Sequence, residues 1–186
     1  TVIARRVIEV TALSVTLSAP PSASVGETVS VTWEGPDYRN DFIAASRPDD
    51  DGYETYSYTR DGNPARLQMP SEPGNYEIRY FVNQDRTVVA RIPVTVADIV
   101  ATLSADPSGV AGGSVMVAFE GPNYRNDYIA ISRADDPDGY ETYGYTRDGN
   151  PVRVTLPDAP GAYEIRYVMN QDRRILGRIP FTVTAP

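Results

Sequence analysis

The sequence predicts an all-β fold built as two tandem antiparallel β-sandwiches, and three observations predict it. The chain is one unit written twice. Trp33-Glu34-Gly35-Pro36-Asp37-Tyr38-Arg39-Asn40-Asp41 returns 86 residues on as Phe119-Glu120-Gly121-Pro122-Asn123-Tyr124-Arg125-Asn126-Asp127. Gly74-Asn75-Tyr76-Glu77-Ile78-Arg79-Tyr80 returns 87 residues on as Gly161-Ala162-Tyr163-Glu164-Ile165-Arg166-Tyr167. Next, 16 Pro and 14 Gly punctuate the 186 residues, leaving stretches too short for ordinary helices. Those stretches alternate apolar with polar residues at a period of two, the pattern of half-buried strands. A module of this size can hold its own core.

The elements follow in order. Thr1-Val2-Ile3-Ala4-Arg5 aligns with Thr87-Val88-Val89-Ala90-Arg91, so residues 1–12 read as the trailing strand of a preceding repeat. Val2, Ala4, Ile8 and Val10 would then lack a sandwich of their own. They are expected to pair with a sheet edge or a neighbouring chain, giving self-association through residues 1–10. The first repeat occupies 13–98, with strand A at 13–19, B at 28–34, C at 41–46, C′ at 53–59, E at 65–69, F at 75–82 and G at 88–96. Val29, Val31 and Trp33 share one face of B. Tyr76, Ile78, Tyr80 and Val82 share one face of F, with Glu77 and Arg79 outside. Asp61-Gly62-Asn63 signals a tight turn. The second repeat, 99–186, runs through the same strands. Its one-residue insertion lies where Asp49-Asp50-Asp51-Gly52 becomes Asp135-Asp136-Pro137-Asp138-Gly139. The junction Val96-Ala97-Asp98-Ile99-Val100-Ala101-Thr102 contains neither Gly nor Pro and predicts a stiff connection.

Pro73-Gly74-Asn75-Tyr76 has the form of an immunoglobulin-type E–F corner, where a Tyr opening strand F turns its hydroxyl back onto the chain. An ordinary core Tyr is the alternative. Seven strands per unit and this corner make each sandwich immunoglobulin-like.

Composition excludes several chemistries. The chain has no Cys and no His, and all 17 of its cations are Arg. It therefore has no disulfide, thiolate, zinc–thiolate site, imidazole base or Schiff-base lysine. A net charge of −8 argues against bulk electrostatic binding of nucleic acid or anionic lipid. No apolar run approaches the roughly 20 residues of a membrane-spanning helix, so direct membrane insertion is not expected.

The chain resembles the immunoglobulin-like repeats that follow von Willebrand factor A domains in proteobacterial envelope and secreted proteins. The residues that carry this are Thr16-Leu17-Ser18-Ala19-Pro20, Glu34-Gly35-Pro36, Asn126-Asp127-Tyr128-Ile129-Ala130-Ile131, Tyr145-Thr146-Arg147-Asp148-Gly149, Pro160-Gly161-Ala162-Tyr163-Glu164-Ile165-Arg166-Tyr167 and Arg173-Arg174-Ile175-Leu176-Gly177-Arg178. More distantly it resembles the SKICH domain, from which it departs at Ala130. Both resemblances imply a sandwich used for interaction or targeting, outside the cytoplasm in the bacterial case, with no catalytic motif.

Three constellations are candidate sites. Asp49, Asp50 and Asp51, with Asp135, Asp136 and Asp138, offer hard oxygen ligands to Ca²⁺, or stand as solvated loops. If loops alternate between the two ends of each sandwich, the first acidic loop comes near Tyr124, Arg125, Asn126, Arg147 and Arg173, an inter-repeat contact. Tyr53, Tyr56 and Tyr58, with Tyr140, Tyr143 and Tyr145, offer rings for stacking a ligand or for a protein surface, or cover the core edge. Alternation puts Tyr56 and Tyr58 on one face of C′ and Tyr53 on the other. Glu77 and Arg79, with Glu164 and Arg166, are expected to pair across to Arg91 and Arg178 on the outer face.

The expected function is a non-enzymatic module of an extracytoplasmic bacterial array. It would space or present a neighbouring domain and contact protein partners. The alternative is a carbohydrate- or Ca²⁺-binding module. Rings lined up as a platform favour carbohydrate, oxygen cages favour Ca²⁺, and an empty polar surface favours spacing.

Overall fold

A computed structural model describes residues 13–186. The trailing strand expected at 1–12, and self-association through 1–10, lie outside the described residues. One compact unit is built on Thr28–Pro70 and Gly74–Val96, another on Ala97–Pro186. Each is a mainly antiparallel immunoglobulin-like sandwich, and the described chain is all-β apart from three short 3₁₀ turns.

In the first repeat β1 (Thr16–Ser18), β3 (Thr28–Glu34) and β6 (Ala65–Gln68) form a three-stranded sheet. The other sheet is five-stranded, in the order β2 (Ser22–Ser24), β8 (Thr87–Ala97), β7 (Gly74–Val82), β4 (Phe42–Ser46), β5 (Thr55–Tyr58). Strands B to G thus appear as β3 to β8, at or within a residue or two of their expected bounds. Strand A, expected at 13–19, is shortened to β1, and β2 follows it in the other sheet where no strand was expected. Pro20 and Pro21 explain the break, because proline offers no N–H to a ladder and holds its φ near −65°. The chain leaves β1, paired to β3, and resumes as β2 beside β8.

The second repeat has the same order. Its three-stranded sheet is β9 (Thr102–Ser104), β11 (Ser114–Glu120) and β14 (Val152–Thr155). Its five-stranded sheet runs β10 (Ser108–Val110), β16 (Ile175–Thr184), β15 (Gly161–Val168), β12 (Tyr128–Arg133), β13 (Thr142–Tyr145). Here Pro107 makes the break, and β10 runs parallel to β16 with Ser108 opposite Thr182.

Each core lies between its sheets. Val115, Val117 and Phe119 from one sheet pack with Ile129, Ile131, Ile165 and Tyr167 from the other. The first repeat buries Val29, Val31, Trp33, Ile43, Ile78 and Tyr80 at the matching positions. Two strands of each five-stranded sheet break the half-buried pattern, β7 and β15 being continuously buried over 78–82 and 165–168. All five residues of β4 are buried, as are the first five of β12. Something therefore covers the outer face of each five-stranded sheet, and that cover forms the candidate site.

Candidate functional site

The cover is the acidic loop between β4 and β5, and between β12 and β13 in the second repeat. In the first repeat Arg79 holds it. Alternation along β7 puts Arg79 on the outer face as expected, but the side chain is not solvated: the residue is 2% exposed. Its Nη1 donates to the carbonyl of Asp50 at 2.5 Å, and Nη2 donates to those of Arg47 and Pro48 at 2.9 and 3.0 Å. Its Nε donates to Glu77 Oε2 at 2.8 Å, and Arg91 reaches the same oxygen at 3.3 Å. In the second repeat Arg166 is also 2% exposed. It donates to the carbonyls of Pro137, Gly139, Arg133 and Asp136, and to Glu164, which also receives Arg178. The cross-strand pairing to Arg91 and Arg178 is present. The solvated arginine expected beside it is a clamp instead. A guanidinium with five donors can satisfy several loop carbonyls at once, which makes its burial tolerable.

The six loop carboxylates point to solvent. Asp49, Asp50, Asp51, Asp135, Asp136 and Asp138 are all exposed. Asp50 Oδ1 accepts the amide of Gly52 at 2.8 Å. Asp136 Oδ1 accepts those of Asp138 and Gly139 at 3.1 and 2.8 Å, and these bonds hold its pKa below the usual range. Among the described residues no three acidic side chains converge as metal ligands.

The tyrosines gather on the same outer face. Tyr140 meets Tyr143, and Tyr143 meets Tyr145, each with centroids 5.3 Å apart and planes tilted 80° and 77°. Arg147 then caps the Tyr145 ring at 4.2 Å. The first repeat builds the same row from Tyr53, Tyr56, Tyr58 and Arg60. Tyr53, expected on the opposite face from Tyr56, is therefore on the same one. It precedes β5 and lies in the loop that turns over the sheet, so strand alternation does not govern it. Tyr56 and Tyr143 remain 48% and 46% exposed. Beneath them Tyr128, Ala130 and Val168 form a small apolar cluster with Tyr145 and Ile175. Phe42, Ala44 and Phe81 do so in the first repeat.

A cavity of about 250 Å³ lies on this face in the second repeat, reaching from Tyr128 and Val168 along the strand to Ser132. A smaller one of about 130 Å³ adjoins it under Tyr143 and Tyr145. Arg173 and Tyr140 stand between the two.

The residues named for an inter-repeat contact take these places within their own repeat. Tyr124, Arg125 and Asn126 occupy the loop before β12; Tyr124 is half-buried and Arg125 exposed. Arg147 donates to Asn126 Oδ1 while stacking on Tyr145. Arg173 follows β15 in a turn with φ of 53° and lines the cavity.

Asp127 organises this end of the repeat and went unread in the sequence. It is buried, and it accepts the amide of Tyr124, the hydroxyl of Tyr167 and the amide of Asn170, each at 3.0 Å. Burial raises its pKa, against the pull of those bonds. Burial likewise raises the Tyr167 phenol. Asp41 holds Tyr38, Tyr80 and Asn83 in the same way. The only signal was a charged residue opening an otherwise apolar strand. At the expected corner Tyr76 is buried, but its hydroxyl donates to the Glu54 side chain at 3.3 Å; its counterpart Tyr163 is buried and donates to the carbonyl of Ala159 at 2.9 Å, as the corner requires.

No protein-family model and no curated protein matches the sequence. Solved structures are similar to this chain over most of its length. The three N-terminal domains of the Hoc outer capsid protein of bacteriophage RB49 match over 94% of this chain and 59% of theirs, at 11% identity and a TM-score of 0.38. The Yersinia pseudotuberculosis adhesin InvE matches over 92% and 60%, at 16% identity and a TM-score of 0.34. The BSP domain of a biofilm associated protein matches over 92% and 30%, at 11% identity and a TM-score of 0.37. The chain thus spans about 60% of the length of the first two.

Proposed function

We propose that the chain is a non-catalytic interaction module of an extracytoplasmic bacterial repeat array. It spaces or presents a neighbouring domain and docks protein partners on the outer faces of its five-stranded sheets. The extracytoplasmic, bacterial placing comes from the resemblance carried by such residues as Glu34-Gly35-Pro36 and Arg173-Arg174-Ile175-Leu176-Gly177-Arg178.

The observation that carries the docking role is the exposed tyrosine row with its capping arginine, repeated in both units. Tyr and Arg are the residues that most often anchor protein interfaces. A sugar chain stacks best on ring faces laid out side by side. Here successive rings stand edge to face, tilted 80° and 77°, and Arg147 covers the face of Tyr145. That favours side-chain contacts with a protein.

The test is selection of a displayed random-peptide library on the full chain, with Y56S/Y143S as the counter-target and a glycan array in parallel. Peptides that bind the wild-type chain and lose at least tenfold on the double variant are expected. Peptides indifferent to the substitutions, or glycan binding that depends on them, would overturn the protein-docking role.

A further inference from the structure

The two repeats differ at two of the three buried positions beneath the tyrosines: Phe42, Ala44 and Phe81 become Tyr128, Ala130 and Val168. In the first repeat, the ring of Phe81 lies flat on Phe42, with centroids 4.7 Å apart and planes 6° apart. Tyr53 and Tyr56 meet the same Phe42 edge-on. The second repeat keeps both edge-on contacts: Tyr140 and Tyr143 each approach Tyr128 at 5.6 Å. The stacked ring is replaced. Val168 pairs with Tyr128 across the strands as Phe81 pairs with Phe42. The cavity of about 250 Å³ lies there, lined by Tyr128, Ala130 and Val168.

The far end of the cavity is polar. Ser132 lines it, is 1% exposed, and among the described residues its Oγ has no hydrogen-bond partner. A buried hydroxyl without a partner is costly, so a ligand that supplies one gains from it. Ser46 Oγ is in the same state in the first repeat. The hydroxyl alone therefore does not distinguish the repeats, whereas the missing ring does. The charged side chains that line the cavity are mixed in sign: Asp138 and Asp172 with Arg173, while Arg166 is already committed to loop carbonyls. Such a lining favours a neutral guest. The volume is below the roughly 300–1,000 Å³ of drug-sized ligand pockets, which points to a single side chain.

We infer that this cavity accepts an aromatic side chain of a protein partner, stacked on Tyr128 over Val168, with a polar group of that residue reaching Ser132 Oγ. The guest ring takes the place that Phe81 fills in the first repeat. The inference rests on the outer face being a protein-docking surface.

The experiment titrates the ¹⁵N-labelled full chain with N-acetyl-L-tyrosinamide and follows amide shifts. N-acetyl-L-leucinamide and a methyl glucoside are the comparison probes. Saturable shifts at Ala130, Ser132 and Val168 are expected with the tyrosine amide. Binding should be at least fivefold weaker with the leucine amide and absent with the glucoside. V168F, which restores the ring of the first repeat, should abolish the shifts. F81V opens the equivalent space in the first repeat and should create a second set at Ala44 and Ser46, so the test survives if V168F folds poorly. An equal response to leucine amide or glucoside, no response to tyrosine amide, or a response that neither variant alters would overturn the inference. Face-dependent peptides without any tyrosine-amide binding would overturn the cavity and leave the docking face standing. Tyrosine-amide binding without such peptides would do the reverse.

Discussion

Arg166 and Glu164 lie two residues apart on β15 and meet at 2.8 Å, yet the arginine is buried while the carboxylate sits at the rim. The pair is repeated as Arg79 and Glu77, also at 2.8 Å. In each repeat the arginine is the link between a sheet face and the acidic loop that covers it. The carboxylate offsets part of the cost of burying the cation, and the loop carbonyls offset the rest.

Removing the arginine should therefore cost far more than removing a surface charge. R166M is expected to destabilise the second repeat by about 3 kcal/mol, because it strips several buried carbonyls of their donor at once. R79M should do the same to the first. Urea unfolding followed for each repeat separately checks this, since two repeats need not unfold as one. The loop itself should open, so residues 134–139 should become susceptible to limited proteolysis in R166M. Loss below about 1 kcal/mol with an intact loop would mean that the clamp is incidental.

Tyr163 tests the corner. Its hydroxyl bonds the carbonyl of Ala159 at 2.9 Å, and the ring is buried. Y163F keeps the packing and removes one donor, so a loss of about 1 kcal/mol is expected. An unchanged denaturation midpoint would show that the bond contributes nothing net.

The strand periodicity made most of the fold legible before any coordinates. Val29, Val31 and Trp33 alternate cleanly because one face of β3 meets the core and the other meets water. The same logic failed where backbone connections override alternation. Pro20-Pro21 and Pro107 send the chain from one sheet to the other, and the strands that follow, β2 and β10, are only three residues long, too short to show an alternation. Tyr53 and Tyr140 lie in a loop that folds back over the sheet, so their parity along the strand carried no information. Arg79 and Arg166 looked like solvated neighbours of Glu77 and Glu164, sharing those carboxylates with Arg91 and Arg178. Their burial depends on a loop whose path is set by long-range packing, which no local pattern encodes. The difference between Phe81 and Val168 was visible in the alignment of the two repeats, but its meaning needed Phe42 and Tyr128 opposite them.

The tyrosine row should separate binding from stability. Tyr143 packs edge-on against Tyr128, Tyr140 and Tyr145 but is nearly half exposed. Y143S is expected to cost about 1 kcal/mol, as scattered aromatic contacts are lost without opening the core. Calorimetry on Y143S and Y56S checks this. A loss of 3 kcal/mol or more would make the row part of the core, and its exposure would then say little about docking.

Asp127 gives the chain a pH dependence of defined sign. Its carboxyl is buried and its pKa is raised above the ordinary 3.8, chiefly by burial. The folded state therefore holds this proton more tightly than the unfolded one. Stability from this group is fully present below about pH 4 and declines as pH rises through the folded pKa, the reverse of a salt-bridged carboxylate. D127N removes the titration and with it that decline. It also sets an amide nitrogen against donors, since Oδ1 accepts Asn170 N and Oδ2 accepts both Tyr124 N and Tyr167 Oη. Whichever way the amide turns, at least one backbone N–H loses its acceptor, at a cost of about 1–3 kcal/mol. Unfolding of the second repeat measured from pH 3 to pH 7 should then show two things: D127N less stable than wild type throughout, and the gap between them narrowing as pH rises. A gap that widens with pH would mean that the three bonds outweigh burial and hold the carboxylate ionised.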